Sequence, residues 1–330
     1  MRVLTRKSVF GVLAVAACMQ LAALAASGAA GPAGLAQAVP AAPGTASPVA
    51  GRGRGPQPVD PRVQIRMHHF AETDQDIPYS LFVSSKVKTN RKAPLIVTLH
   101  GIGGTHTTMM RPNAIDLAEA GGYILLAPMG YNPRGWYGAP PPQGRRGAPP
   151  APPIDSGRGA AGDGRADALA PAPPQGRRGL PPGLLSDPND PPNLRELSER
   201  ETLEVVDLIG KEFKVDADRT YVMGHSMGGA GALYLAIKYP QRWAAVAALA
   251  PAAFAVDREG LTRIPRMPIM LVHGDMDTVV PVTVGRAWAE AMKSIPMKDY
   301  RYIEVSGGDH GTVIGSHQAE VFAFFAKHSR

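Results

Sequence analysis

Thr220-Tyr221-Val222-Met223-Gly224-His225-Ser226-Met227-Gly228 decides how the chain is read. A short apolar run suited to a strand is followed by a serine with glycine two positions to either side, then by the small-residue opening of a helix. G-x-S-x-G in that setting holds a serine on a sharp, strained strand-to-helix turn, hydroxyl clear of the backbone. The glycines are required because side chains there would collide with their neighbours. The amide of Met227, first in the helix, is left free to bind an oxyanion. G-x-S-x-G alone is a weak signal, with an ordinary glycine turn as its alternative. Strand, turn and helix together make it a candidate nucleophile.

Outward from this point, strand-like and helix-like stretches alternate. Leu95–Leu99 is a nearly continuous apolar run, as expected of a strand buried on both faces. Tyr123–Ala127, Thr220–Met223, Ala244–Leu249, Pro268–Val272 and Tyr300–Val305 are of the same kind. Helical patterns separate them. One opens at Ser198, where Ser198 and Glu201 form an S-x-x-E capping box, and carries a seam through Thr202, Val206, Ile209 and Phe213. A second follows Ser226 and stops at Pro240, and the last holds Val321, Phe324, Phe325 and His328. The alternation predicts an α/β fold, a mostly parallel sheet with helices on both faces. Val63–Phe70 and Pro78–Ser84 suit an antiparallel leading hairpin.

A serine hydroxyl needs a base, and the base an acid to orient it. His310 lies in Gly307-Gly308-Asp309-His310-Gly311, just past the strand ending at Val305. Both it and His273-Gly274-Asp275-Met276-Asp277 sit at carboxyl ends of expected parallel strands, where such sites lie. The other histidines have plainer readings. His317 and His328 fall on or near the last helix, His68 and His69 on the hairpin, and His225 and His273 are expected to hydrogen-bond within their own turns. Asp275 and Asp277 both remain candidates for the acid.

Five segments together carry a family resemblance: Leu99-His100-Gly101, Asp218-Arg219-Thr220-Tyr221, the serine turn, His273 to Pro281, and Gly308-Asp309-His310-Gly311. Over roughly residues 78–138 and 195–328 the chain resembles secreted α/β-hydrolase carboxylesterases. These are related to phospholipase/carboxylesterase, feruloyl-esterase, polyhydroxybutyrate-depolymerase-like and prolyl-oligopeptidase-type serine hydrolases. The resemblance implies an α/β-hydrolase fold and ester hydrolysis through an acyl-enzyme, with Ser226, Asp277 and His310 as catalytic triad. In that family the acid is the Asp of H-G-x-x-D-x-x-V-P, which falls on Asp277 and leaves Asp275 as a turn residue. It also implies an oxyanion hole built from the amides of Ile102 and Met227. The glycine-rich loop at 100–104 lacks the Lys-Ser/Thr pair of a nucleotide loop. The chemistry requires no cofactor, and no metal-ligand cluster is visible in the sequence. Trp136 and Tyr137 are candidates for an aromatic acyl pocket, with core packing the alternative. Two rivals stand beside the esterase: a small serine exopeptidase with the same triad, and a non-catalytic polysaccharide- or surface-binding protein on this fold.

The ends and the middle are of different composition. Arg2, Arg6 and Lys7 precede an apolar run from Val9 to Ala26, with Ala23-Leu24-Ala25 and Ala36-Gln37-Ala38 as cleavage candidates. Residues 1–38 are therefore expected to be a signal peptide, with a membrane anchor as the alternative, and the protein secreted or periplasmic. Val15-Ala16-Ala17-Cys18 resembles a lipoprotein cleavage box that would make Cys18, the single cysteine, a lipid anchor; the apolar run after it argues the other way. Residues 39–62 are Ala-, Gly- and Pro-rich and read as a linker ahead of a domain over 63–330. A Pro/Gly/Arg-rich insertion at about 139–182 repeats Pro-Pro-Gln-Gly-Arg-Arg-Gly at 141–147 and 173–179. The formal charge of +7 is concentrated in the leader and this insertion. The remainder is close to neutral, which argues against a nucleic-acid partner. The expected partner is an ester substrate, small or polymer-borne. Oligomeric state is not encoded in these patterns.

Overall fold

Every residue of the strand Ala93–Leu99 (β3) is buried, and its side chains divide between two cores. Leu95, Val97 and Leu99 pack on one face of the sheet with Ile209, Leu233 and Trp288; Ile96 packs on the other with Ile115 and Phe325. Period-two alternation with apolar residues on both faces requires helices on both sides. The computed structural model describes residues 59–142 and 187–330. The leader, Cys18, nearly all of the linker and nearly all of the repeat-bearing insertion lie outside the described residues.

The described residues form an eight-stranded sheet of order β1-β2-β4-β3-β5-β6-β7-β8. Gln64–Phe70 (β1) and Gln75–Val83 (β2) make the antiparallel leading hairpin, and β2 also pairs antiparallel with Ile124–Ala127 (β4). From β4 onward all pairings are parallel, through β3, Val215–His225 (β5), Ala245–Leu249 (β6), Ile269–Gly274 (β7) and Tyr300–Val305 (β8). Pro112–Gly121 (α1), Val313–Ser316 (α5) and Gln318–Ala326 (α6) cover one face. Leu194–Glu212 (α2), Met227–Lys238 (α3) and Val282–Ser294 (α4) cover the other. No helix among the described residues is long and apolar enough to cross a membrane.

The chain goes from β3 outward to β4 and then returns to β5 on the opposite side of β3. Such a reversal opens a crevice at the carboxyl ends of the two central strands. Ser226 follows β5 and the His100–Gly104 loop follows β3, with Leu99 paired to Gly224 at that end.

One local expectation is corrected. α2 begins at Leu194, one turn before Ser198, so Ser198 and Glu201 do not form a capping box. Both are fully buried inside the helix and serve amides of a different segment. The seam is as expected: Thr202, Val206 and Ile209 are buried, and Phe213 ends the helix.

Candidate active site

Ser226 has φ 56° and ψ −116°, a sparsely populated positive-φ conformation that a side-chain-bearing residue adopts only at a cost of about 1–3 kcal/mol. The surroundings hold it there. Its amide donates to Leu249 O (2.9 Å), and its carbonyl accepts from Ala230 N (3.0 Å) and Ala252 N (2.9 Å). The two glycines of the motif are explained by contact distances. A Cβ at Gly224 would lie 2.2 Å from Gly228 O, and one at Gly228 would lie 2.2 Å from Leu99 O. Strand end and helix start therefore touch backbone to backbone, and β3 is packed directly against the turn.

The acid and base come from the loops after β7 and β8. Asp277 Oδ2 is 2.7 Å from His310 Nδ1. A carboxylate only accepts, so Nδ1 carries the proton and Nε2 is left as the basic nitrogen. Asp277 Oδ1 accepts from Val279 N (2.9 Å) and Val280 N (2.8 Å), and its side chain is fully enclosed. Burial alone would raise its pKa; hydrogen bonds from His273, His310 and the Val280 amide outweigh it and hold the carboxyl below its ordinary range. His273 Nε2 lies 3.4 Å from Asp277 Oδ2 and donates to Val280 O (2.9 Å), within its own loop as expected.

Asp275 is elsewhere: its Oδ1 accepts from Gly307 N (2.7 Å), tying the acid loop to the base loop. Asp309, beside the base, accepts from Gly311 N and Thr312 N and shapes the turn that carries His310.

His225 departs from expectation. Its Nε2–H reaches out of its own turn to His310 O (2.7 Å), and the two rings lie 4.6 Å apart, centroid to centroid. Burial, and next the neighbouring His310, push its pKa down to about 3, so it stays neutral. The residue before the serine thus fixes the backbone of the base, a contact across 85 residues that no local pattern announces.

The loop after β3 runs against the serine: a Cβ at Gly101 would be 3.3 Å from Ser226 Cβ. Ile102 follows Gly101 in that loop. Met227 is the first residue of α3, whose opening amides have no partner within the helix.

Trp136 and Tyr137 are the other correction. Both are buried in the core over α3, and Tyr137 is 0% exposed. The Tyr137 hydroxyl accepts from His100 N (3.0 Å), so of the two expectations for this pair it is core packing that the structure bears out. Apolar surface lies elsewhere. Among the described residues, Phe254, Met276 and Val279 are exposed large apolar side chains, on the loops after β6 and β7.

The chain is similar to known esterases in sequence and in fold. Residues 188–328 match the Esterase family, described as "Putative esterase". Cutinase 1 of Thermobifida cellulosilytica is 34% identical over 98 residues, which is 29% of this chain and 35% of the cutinase. The S-formylglutathione hydrolase of Bos taurus is 48% identical over 50 residues, 15% of this chain and 18% of that protein. The chain thus spans about a third or less of these relatives. A ferulic acid esterase structure from Anaeromyces mucronatus superposes with a TM-score of 0.53 at 14% identity, over 81% of this chain and 90% of the esterase. The fold is that of the α/β-hydrolases.

Proposed function

We propose that the chain is a serine hydrolase that cleaves carboxylic esters through an acyl-enzyme. The observation that carries the proposal is the 2.7 Å Asp277–His310 contact on loops beside a serine held in a positive-φ turn. Ser226 Oγ attacks the ester carbonyl carbon as His310 Nε2 takes its proton. Asp277 keeps the ring in the required tautomer and stabilises the imidazolium. The amides of Ile102 and Met227 bind the oxyanion. The tetrahedral intermediate expels the alcohol, which takes its proton from His310. Water then repeats the cycle on the acyl-serine and releases the acid.

The exposed Phe254, Met276 and Val279 favour an ester with an apolar flank. The similarity to a cutinase supports a polymer-borne ester over a small hydrophilic one. The reading of residues 1–38 as a signal peptide extends the proposal to an exported enzyme; N-terminal sequencing of the mature protein distinguishes cleavage at Ala38 from lipidation at Cys18. The decisive test is a fluorophosphonate probe together with ester turnover. Ser226→Ala is expected to remain folded, to take no label and to lose ~10⁴- to 10⁶-fold in kcat. Turnover above a few per cent of the wild type rules out Ser226 as nucleophile.

A further inference from the structure

The segment 129–138 is strained. Gly130, Tyr131, Trp136, Tyr137 and Gly138 all have φ between 53° and 86°, and three of the five are not glycine. A chain that folds this way against its preferences has to be held from outside.

Much of the hold comes from one helix. Glu201 Oε2, on α2, accepts from Gly130 N (2.8 Å) and Tyr131 N (3.2 Å). One turn earlier, Ser198 Oγ accepts from Tyr137 N (3.0 Å). Both side chains are 0% exposed. A second hold, from Asp190 to Asn132 and Arg134, is only partly buried.

The strained segment in turn supports the loop after β3. Gly103 N donates to Pro133 O (3.0 Å) and His100 N to the Tyr137 hydroxyl (3.0 Å), while His100 Nε2 lies 3.0 Å from Met129 O. These three contacts bracket Ile102. Two of them flank the pair of amides that Glu201 grips: Met129 directly precedes it, and Pro133 follows it two residues on.

We propose that Glu201, with Ser198, is a positioning residue for the oxyanion hole, acting through segment 129–138 on the loop that carries the Ile102 amide. This rests on the reading of that amide as an oxyanion donor. Glu201 touches no reacting atom; it sets where a donor stands. An oxyanion donor contributes in the transition state and little in the ground state, so its displacement lowers kcat and leaves KM nearly unchanged. Such a shift of roughly 1 Å costs on the order of 10²-fold in rate.

Glu201→Ala is expected to lower kcat ~10- to 100-fold with KM within about 2-fold. Affinity for phenylboronic acid, whose tetrahedral adduct with Ser226 occupies the oxyanion position, should fall in parallel. Glu201→Gln keeps an oxygen for the two amides and should restore kcat to within about 3-fold. Ser198→Ala removes only the Tyr137 amide's acceptor and should give a smaller loss of the same kind, which keeps the test open if Glu201→Ala does not fold. Three results overturn the proposal: unchanged kcat in Glu201→Ala and Ser198→Ala, a loss of kcat without a loss of boronate affinity, or a Glu201→Gln no better than the alanine. A wild type that neither turns over esters nor takes the fluorophosphonate refutes the esterase reading instead. An active wild type with indifferent α2 variants refutes this inference alone.

Discussion

Two acids of this molecule are buried to a similar degree and held in opposite protonation states. Asp277, after β7, has donors at both oxygens: two backbone amides at Oδ1, and at Oδ2 the proton-bearing Nδ1 of His310, with His273 close by. Glu201, on α2, has two amides at Oε2 and no partner at Oε1. Burial pushes both upward. At Asp277 the donors reverse the push; at Glu201 they do not, and its pKa rises to about 8, with Glu204 adding a small further rise. The comparison shows that enclosure does not decide charge. What decides it is whether every lone pair finds a donor, above all one able to become a cation. Asp277 is thereby a standing negative charge for an imidazolium, and Glu201 a neutral strut at neutral pH.

The most severe break in this comparison is Asp277→Asn. The asparagine keeps the shape but can turn an N–H toward His310, favouring the tautomer in which Nε2 carries the proton and cannot act as base. A loss on the order of 10⁴ in kcat is expected, about 5.5 kcal/mol of transition-state stabilisation. Steady-state ester hydrolysis, with circular dichroism to verify the fold, measures it. A loss smaller than tenfold means that His310 does not depend on this carboxylate.

The contrast sharpens in the dependence of stability on pH. For Glu201 the folded pKa is raised from 4.5 to about 8. Its contribution is therefore fully present below pH 4.5 and is lost as pH rises toward 8, by up to ~5 kcal/mol. Glu201→Gln cannot ionise, so its unfolding free energy should lack that decline and should exceed the wild type's above pH 8. For Asp277 the sign is opposite. Its contribution is present above the unfolded carboxylate range and disappears as pH falls through the lowered folded value. Urea titrations across pH 2 to 9 separate the two. Parallel curves for wild type and Glu201→Gln would mean that Glu201 is ionised in the folded protein.

How much of this was legible in the sequence follows from how local each piece is. The strand, turn and helix around Ser226 span a dozen residues, and their chemistry demands glycines at fixed places, so they could be read directly. His310 and Asp277 could be placed because both loops directly follow apolar strands. Ser198 and Glu201 look like a capping box in the sequence for a physical reason. A hydroxyl and a carboxylate three residues apart accept amide protons in a capping box, and they do so here as well. The amides belong to a segment some 60 to 70 residues earlier in the chain, a partnership that spacing cannot reveal. Trp136 and Tyr137 lie in the stretch expected to shape the pocket, and their residue types alone suit pocket lining and core packing equally. Left-handed conformations at both, and a hydrogen bond from His100 to the tyrosine hydroxyl, accompany their packing in the core.

The smallest effect expected belongs to the other aspartate of the acid loop. Asp275 Oδ1 accepts one hydrogen bond from Gly307 N at an exposed site, and an asparagine offers an oxygen in the same place. Asp275→Asn should therefore change kcat by less than about 3-fold, and stability by about 1 kcal/mol or less, the net worth of an ordinary hydrogen bond. Asp275→Ala, which removes the acceptor, should cost slightly more stability through loosening of the 306–309 turn, and still leave the pH profile of kcat unchanged. Two aspartates lie two residues apart on one loop, yet identical amide substitutions should differ by more than three orders of magnitude in rate. Only the position of His310 relative to the two carboxyls can produce such a gap. If Asp275→Asn proved the more damaging, the acid would be Asp275, and the hydrogen bond to Gly307 would have to break in the working enzyme so that the carboxylate could turn to the imidazole.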